Sequence, residues 1–76
     1  MKNINNISII LPTLNEAENL VVLIPEIIST FNKLSLKDYQ IIVVDDNSTD
    51  ETKKIMNKMN SENSNIDFYV RNLQKS

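Results

Sequence analysis

The chain of 76 residues contains no cysteine, no histidine and no glycine. Without cysteine it can form neither a disulfide nor a thiolate site. Without histidine it lacks the commonest general base and metal ligand. Without glycine it can carry neither the G-x-G-x-x-G dinucleotide fingerprint nor a P-loop. A phosphate bound by this chain would therefore have to be held in another way.

The missing glycines also bear on how much of a domain is present. Small α/β domains usually place glycine at tight turns and helix ends, and no helical pattern follows the last predicted strand. A chain this short buries only about 60% of its unfolded surface, so it is marginally stable alone. We expect residues 1–76 to form one partial domain that has been cut short.

Charge and hydropathy narrow the class of protein further. Hydrophobic residues make up 41% and charged residues 24%, which is ordinary for a soluble globular protein. The net charge of −2 argues against a nucleic-acid-binding surface, which is normally basic. No apolar run approaches the roughly 20 residues that cross a bilayer, and no signal-peptide pattern is visible. We expect no transmembrane segment in this chain and a cytoplasmic location.

What the sequence does contain is an unbroken apolar run, residues 41–44, that leads directly into Asp45 and Asp46. Such a run, bounded by turn residues, predicts a strand buried on both faces inside a parallel sheet. In such sheets ligands bind at the carboxyl ends of the strands. The two carboxylates are therefore predicted to stand where an α/β protein does its chemistry.

Hydrophobic periodicity predicts the fold class α/β, with the element order β-α-β-α-β. The strands are expected at residues 7–11, 40–44 and 66–70, and the first helix at about 16–31. Pro12 should end a central first strand, and Pro25 should kink or split the first helix. Right-handed crossovers would place the three strands in one parallel sheet, in the order 3-2-1 or 3-1-2.

Two sets of polar residues are candidate helix caps. Asn15, with Glu18 three residues later, resembles a capping box before the first helix. Ser48 or Thr49 is predicted to cap the second helix, because Ser48 and Glu51 match the S-x-x-E pattern.

The acidic pair has a structural and a functional interpretation. Asp at a strand end often starts a turn or caps the next helix. Alternatively, one carboxylate faces a ligand and accepts a hydrogen bond from a nucleobase N–H or a ribose hydroxyl, or binds a metal ion. Consecutive strand residues point to opposite faces, so Asp45 and Asp46 should not do the same job. Because both loops leave the carboxyl ends of neighbouring strands, Glu16 and Asp46 could line one crevice.

Two motifs at a fixed separation resemble a known family. The segment P-T-L-N-E-A-E-N-L follows the first strand, and I-I-V-V-D-D-N-S-T-D-E-T begins about 20 residues after it. Together they resemble the opening of family 2 glycosyltransferases with the Rossmann-like GT-A fold. The first motif is especially similar to polyprenyl-phosphate (dolichyl-phosphate) mannosyltransferases. Residues 66–72 resemble that family's third strand and its following Arg.

The resemblance implies a binding site for the nucleotide of a sugar-nucleotide donor. Asp46 would accept a hydrogen bond from the base ring N–H, and Glu16 would lie near the ribose and base. Many family members carry an aromatic residue where this chain has Leu14, so Leu14 would keep an apolar contact without stacking. The residues carried over to this site are Pro12, Leu14, Glu16, Val44 and Asp46.

The resemblance also implies roles for three further side chains. Asp45 would be structural, while Ser48 and Asp50 would organise the loop.

The implied activity is inverting transfer of mannose or another hexose to a polyprenyl phosphate acceptor, with GDP-mannose or a UDP-sugar as donor. In this family a later acidic motif holds a divalent metal, Mg²⁺ or Mn²⁺, and a later carboxylate is the general base. Because no carboxylate follows Asp67, we expect no catalytic residue and no metal ligand in this chain. The segment alone should be inactive, and the full-length enzyme should work at the cytoplasmic face of a membrane.

Two alternatives stay open from the sequence. A signalling receiver module also has an acidic pair after a strand, but there the pair follows the first strand, and a phosphoacceptor Asp ends the third. Here Pro12 follows the first apolar run and Arg71 follows the third. A non-enzymatic remnant or interaction module with an α/β fold is the other alternative, because an exposed sheet edge favours association.

Overall fold

The structure of the chain, a computed structural model, describes residues 6–71. Its elements are β1 (Asn6–Thr13), α1 (Ala17–Lys33), β2 (Asp38–Asp45), α2 (Thr52–Glu62) and β3 (Ile66–Val70). The predicted order β-α-β-α-β is confirmed, and β3 has the predicted bounds. Residues 1–5 and 72–76 lie outside the described residues.

The three strands form a parallel sheet in the order β1-β2-β3, which confirms the first of the two predicted orders. The prediction of a central first strand is wrong, because β1 pairs with β2 alone among the described strands. Pro12 was expected to end β1 but lies within it, paired with Val44. An edge strand tolerates proline, since one side of its backbone needs no ladder partner.

Both helices pack on one face of the sheet. Along β2, Ile41, Val43 and Asp45 are fully buried, whereas Ile42 and Val44 are only half-buried. The prediction that this strand is buried on both faces is therefore wrong. The reason is topological: two successive crossovers of one hand, made in the same direction across the sheet, place both helices on the same side. The hydrophobic core on that side comprises Leu20, Ile24, Phe31, Ile41, Val43, Met56 and Ile66.

Helix α1 is a single element that runs through Pro25, so the predicted split does not occur. Leu20, Ile24 and Phe31 are its buried residues, on the side that faces the core. None of the helices among residues 6–71 is long and apolar enough to cross a membrane.

Non-glycine residues fill the left-handed backbone positions of this glycine-free chain. Ser35, with φ 58°, follows α1, where its N–H donates to the carbonyl of Asn32 and the N–H of Leu36 donates to that of Phe31. This pair of bonds is the Schellman arrangement that glycine usually supports. Asn15 and Asn47, with φ 53° and 61°, occupy the loops after β1 and β2. Asparagine adopts this conformation more readily than other residues that carry a Cβ.

Candidate functional site

The carboxyl ends of the three strands lie side by side. Thr13 pairs with Asp45, and Asp45 pairs with Val70. Beyond these pairs, the N–H of Asp46 donates to the carbonyl of Thr13 at 2.9 Å, and the N–H of Arg71 donates to the carbonyl of Asp45 at 2.6 Å. The backbone therefore fixes the first residue after β2 and the first residue after β3 next to each other.

Asp45 is a buried structural carboxylate. Its side chain is 0% exposed, and its Oδ1 accepts hydrogen bonds from the hydroxyls of Thr13 and Ser48. Its Oδ2 accepts from the backbone N–H of Ser48 at 2.7 Å. Both oxygens are satisfied inside the protein, which confirms the structural role implied for Asp45 and leaves Asp45 no free acceptor for a ligand.

The surroundings of Asp45 shift its pKa in two directions. Burial raises the pKa, because it penalises the charged form. The hydrogen bonds from Ser48 and Thr13, with the positive charge of Lys53, together outweigh burial, so the pKa of Asp45 lies below its ordinary value. The carboxylate is therefore ionised at neutral pH.

Asn15 ties the loop after β1 to the loop after β2. Its N–H donates to the hydroxyl of Ser48, and its side-chain oxygen accepts from the backbone N–H groups of Thr49 and Asp50. The prediction that Asn15 caps α1 is wrong: the residue at the helix start is Glu16, and it makes no side-chain cap bond. Because the side chain of Asn15 is engaged across the loops, it is not available to its own helix.

Asp50 links the amino ends of both helices. Its Oδ2 accepts from the N–H of Ala17, the first residue of α1, and its Oδ1 from the N–H and hydroxyl of Thr52, the first residue of α2. The hydroxyl of Thr52 is the largest influence that lowers the pKa of Asp50.

The prediction that Ser48 or Thr49 caps α2 is also wrong, because Glu51 stands at the helix start without a cap bond. These contacts confirm that Ser48 and Asp50 organise the loop.

Asp46 lies on the opposite side of the sheet from Asp45 and contacts Arg71. Asp46 Oδ1 accepts a hydrogen bond from Arg71 Nε at 2.8 Å, and Nη2 of the same guanidinium lies 2.7 Å from it in an ion pair. The side chains are 30% and 55% exposed, so this ion pair stands at the surface. Among residues 6–71 no hydrogen-bond donor reaches Asp46 Oδ2.

Four of the five residues predicted to bind a nucleotide lie in β1 or β2 or directly after them, and the fifth, Glu16, stands at the start of α1. Pro12 and Val44 are paired neighbours on the sheet face that the helices leave open, and Asp46 follows on the same face by strand alternation. Leu14 is 55% exposed in the loop. Glu16 accepts a hydrogen bond from Asn19 and borders a hollow on α1 that Asp46 does not line. Their contact with a nucleotide stays a prediction.

Sequence reasoning assigned Asn15 to helix capping rather than to bonds between the loops, did not connect Thr13 with Asp45, and gave Arg71 no partner. A signal existed for Thr13, since Thr13 and Asp45 are the first polar residues after two apolar runs that parallel pairing places side by side. The Arg71–Asp46 pair depends on the register of β3, which the sequence does not show.

The described residues offer no metal centre. Across residues 6–71 no three His, Cys, Asp or Glu side chains cluster closely enough to hold an ion. The side chains here can accept and donate hydrogen bonds at a polar, solvent-facing edge.

Comparison with known proteins places this fold in a family. Residues 8–75 match the model described as "Glycosyl transferase family 2". The chain is 33% identical over 64 residues to the GalNAc(5)-diNAcBac-PP-undecaprenol beta-1,3-glucosyltransferase of Campylobacter jejuni, which covers 84% of this chain and 19% of that protein. It is 35% identical over 60 residues to the undecaprenyl-phosphate 4-deoxy-4-formamido-L-arabinose transferase of Pectobacterium atrosepticum, which covers 79% and 18% respectively.

The chain thus spans less than a fifth of the length of these relatives. Neither relative's name mentions mannose, so the similarity does not single out mannosyltransferases. The family match nevertheless extends over nearly the whole sequence and includes both strand-tip loops. The β-α-β-α-β fold, the adjacent loops and this match together show that the chain belongs to glycosyl transferase family 2.

Proposed function

We propose that this chain is the donor-nucleotide-binding segment of an inverting glycosyltransferase. The observation that carries the proposal is the contrast within the acidic pair: Asp45 is buried and satisfied, whereas Asp46 is 30% exposed at the carboxyl edge of the sheet, and no donor within residues 6–71 reaches its Oδ2. Ligands of open α/β sheets bind at that edge. A carboxylate only accepts hydrogen bonds, so it suits a base ring N–H.

The neighbours of Asp46 support a nucleotide as its ligand. Pro12 and Val44 give a flat apolar surface on the open sheet face, and Leu14 adds an exposed apolar side chain in the loop. Glu16, at the start of α1, supplies a second carboxylate that could accept from ribose hydroxyls. Apolar contacts with a few polar groups are the usual composition of a small-molecule site.

The other parts of the reaction are proposed for the whole enzyme. The donor would be GDP-mannose or a UDP-sugar, with mannose or another hexose transferred to a polyprenyl phosphate. The relatives' names, which mention undecaprenol and undecaprenyl phosphate, support a lipid-linked acceptor. Such an enzyme would work at the cytoplasmic face of a membrane. We propose that this segment alone does not catalyse transfer.

A divalent cation, Mg²⁺ or Mn²⁺, belongs to the whole-enzyme proposal. The described residues do not fit such an ion, because no three carboxylates converge. We therefore propose no reaction step at this site that uses a metal ion. The segment's part is to bind and orient the nucleotide.

A second hollow, of about 450 Å³, lies at the amino edge of the sheet and is lined by residues that include Asp38, Tyr39 and Asn65. Its amide groups are already engaged within the protein, since Asn65 Nδ2 donates to the Tyr39 carbonyl and Gln40 Nε2 to Asp67. One N–H of each amide is thus used internally, and we favour the carboxyl edge because ligands of open α/β sheets bind there.

Isothermal titration of the chain with UDP, GDP and their sugars tests the proposal. We expect Asp46→Asn to weaken binding about tenfold or more, because a hydrogen bond to a charged acceptor contributes roughly 1.5–3 kcal/mol. Asp38→Asn, the same change at the opposite end of β2, is the matched control and should leave binding unchanged. Binding that Asp46→Asn does not alter would contradict the proposal.

The alternative of a non-enzymatic interaction module has one observation in its favour. The edge strand β1 carries no charged residue from Ile7 to Thr13, and uncharged edges favour association with another strand. Concentration-dependent self-association without any nucleotide binding would favour this alternative.

A further inference from the structure

The side chain of Asn15 connects the loop after β1 to the loop after β2. Its Oδ1 accepts a hydrogen bond from the backbone N–H of Thr49 at 2.8 Å and another from that of Asp50 at 3.2 Å. The backbone N–H of Asn15 donates to the hydroxyl of Ser48 at 2.8 Å. All three bonds cross from one loop to the other, so Asn15 joins the two loops rather than shaping its own.

The first half of the loop after β2 is anchored to the sheet without the Asn15 side chain. The N–H of Asp46 donates to the carbonyl of Thr13 at 2.9 Å. The N–H of Ser48 donates to Asp45 Oδ2 at 2.7 Å. These residues therefore keep their positions through backbone pairing and through the buried carboxylate.

The second half of the same loop depends on Asn15. Glu51, at the start of α2, makes no side-chain cap bond. The remaining bond from this half to the β1 side, from the N–H of Ala17 to Asp50 Oδ2, is exposed and 3.3 Å long. Without the Asn15 oxygen, the cross-loop support of this half would reduce, among residues 6–71, to that one bond.

The bonds that Asn15 Oδ1 accepts hold the loop more than they hold the fold. They lie at exposed positions and join neutral groups. Such bonds add little net free energy to folding, because water replaces them when they break. The core that joins the sheet to the helices lies elsewhere, around Leu20, Ile24 and Met56. Loss of the Asn15 oxygen should therefore open the loop locally while the fold persists.

We propose that Asn15 is a positioning residue of the donor site, an inference that rests on the proposed function. The two loops carry Leu14 and Asp46, and Glu16 directly follows Asn15. A ligand that contacts both loops must order them on binding unless they are already held together, and that ordering costs conformational entropy. Asn15 acts by holding the loop after β2 in place before the nucleotide arrives, not by contact with the nucleotide.

Three variants test the inference by isothermal titration of the whole chain with UDP and with GDP. Asn15→Gly removes the amide oxygen but permits the left-handed φ of 53°. Asn47→Gly is the matched control: it makes the same change at φ 61° in the loop after β2, where the side chain bonds Lys53 instead of the other loop. Asn15→Asp keeps an oxygen in the same place and tolerates the same backbone conformation.

We expect Asn15→Gly to weaken nucleotide binding about tenfold, the fold-change that corresponds to ordering roughly one residue of backbone on binding. Asn47→Gly and Asn15→Asp should each bind within about threefold of the wild type, because both retain an oxygen acceptor at position 15. The midpoint of urea unfolding should change little in any of the three variants.

Amide hydrogen exchange gives a second readout, which does not depend on nucleotide affinity. The N–H of Thr52 bonds Asp50 and not Asn15, so faster exchange at Thr52 in Asn15→Gly reports movement of the loop rather than the lost bond itself. Saturation with nucleotide should slow this exchange again. The N–H of Ile41, which is bonded within the sheet region, should exchange at the wild-type rate and so shows that the fold is retained.

The outcomes distinguish this inference from the proposed function. Nucleotide binding by the wild type, combined with unchanged binding and unchanged Thr52 exchange in Asn15→Gly, would overturn the positioning role alone. An equal loss of affinity in Asn47→Gly, or a failure of Asn15→Asp to restore binding, would also overturn it alone. A wild-type chain that binds neither UDP nor GDP would overturn both.

Discussion

The two faces of the sheet use the same strands for different purposes. On the helix-covered face, Ile41, Val43 and Asp45 are 0% exposed. On the open face, Ile10 is 65% and Tyr69 58% exposed, and Ile42 is half-buried. The covered face stabilises the fold, and the open face presents a surface that ends at Asp46 and Arg71.

Asp45 and Asp46 show the difference most clearly, because they are consecutive residues with the same side chain. Strand alternation sends one to each face. Asp45 gives both oxygens to the hydrogen-bond network that joins the strand-tip loops, whereas the side chain of Asp46 is 30% exposed and its Oδ2 meets no donor in the part of the chain that the structure describes. Asp45 therefore serves stability and Asp46 is proposed to serve binding. Substituting each residue in turn can separate these two roles.

The largest expected difference is between two isoleucines on β2. Ile41→Ala should lower the free energy of unfolding by about 2–5 kcal/mol, because it leaves a cavity in the core. Ile42→Ala removes the same atoms from the half-buried face and should cost about 1 kcal/mol. Urea unfolding followed by circular dichroism measures both changes.

If Ile41→Ala does not fold, the valine variants replace the alanine pair. Ile41→Val should cost about 1 kcal/mol, and Ile42→Val less than about 0.5 kcal/mol. Equal losses at the two positions would mean that the open face is as well packed as the covered one.

The next comparison is between the two aspartates. Asp45→Asn places an amide donor against the donors of Thr13 and Ser48, so it should lower the free energy of unfolding by about 2 kcal/mol. Asp46→Asn weakens only an exposed ion pair and should cost less than about 1 kcal/mol. The same urea titrations apply, and a greater loss from Asp46→Asn would reverse the assignment of roles.

The smallest expected effect is a dependence of stability on pH. The folded-state pKa of Asp45 lies below its ordinary value of 3.8, so the folded protein holds the ionised form more strongly than the unfolded chain does. Its contribution is present above pH 3.8 and is lost as the pH falls through the folded-state pKa. As the pH falls below 3.8, the free energy of unfolding should therefore decrease less steeply in Asp45→Asn than in the wild type. An identical slope would show that Asp45 contributes nothing to the acid sensitivity.

Much of the fold could be predicted from residue patterns. Hydrophobic periodicity predicted the element order, and it located β3 to the residue. The apolar run at 41–44 located β2 but wrongly implied burial on both faces. The composition of an apolar run shows how hydrophobic a strand is. Which of its two faces the helices cover depends instead on the direction of the crossovers.

The site was predicted at the level of its loops but not of its hydrogen bonds. Asn15 has the composition of a helix cap, and only tertiary structure shows that its amide oxygen bonds Thr49 and Asp50 instead. Likewise, the partner of Arg71 follows from the pairing of β3 with β2, a contact between residues 25 positions apart. Local pattern cannot distinguish such long-range partners from local ones.

The most direct test of the central claim is to locate a bound nucleotide by backbone amide chemical shifts. On titration of the ¹⁵N-labelled chain with UDP, we predict the largest shifts at Leu14, Val44, Asp46 and Arg71, at the carboxyl edge of the sheet. Largest shifts at Asp38, Tyr39 and Asn65, at the amino edge, or no shifts at all, would contradict the account.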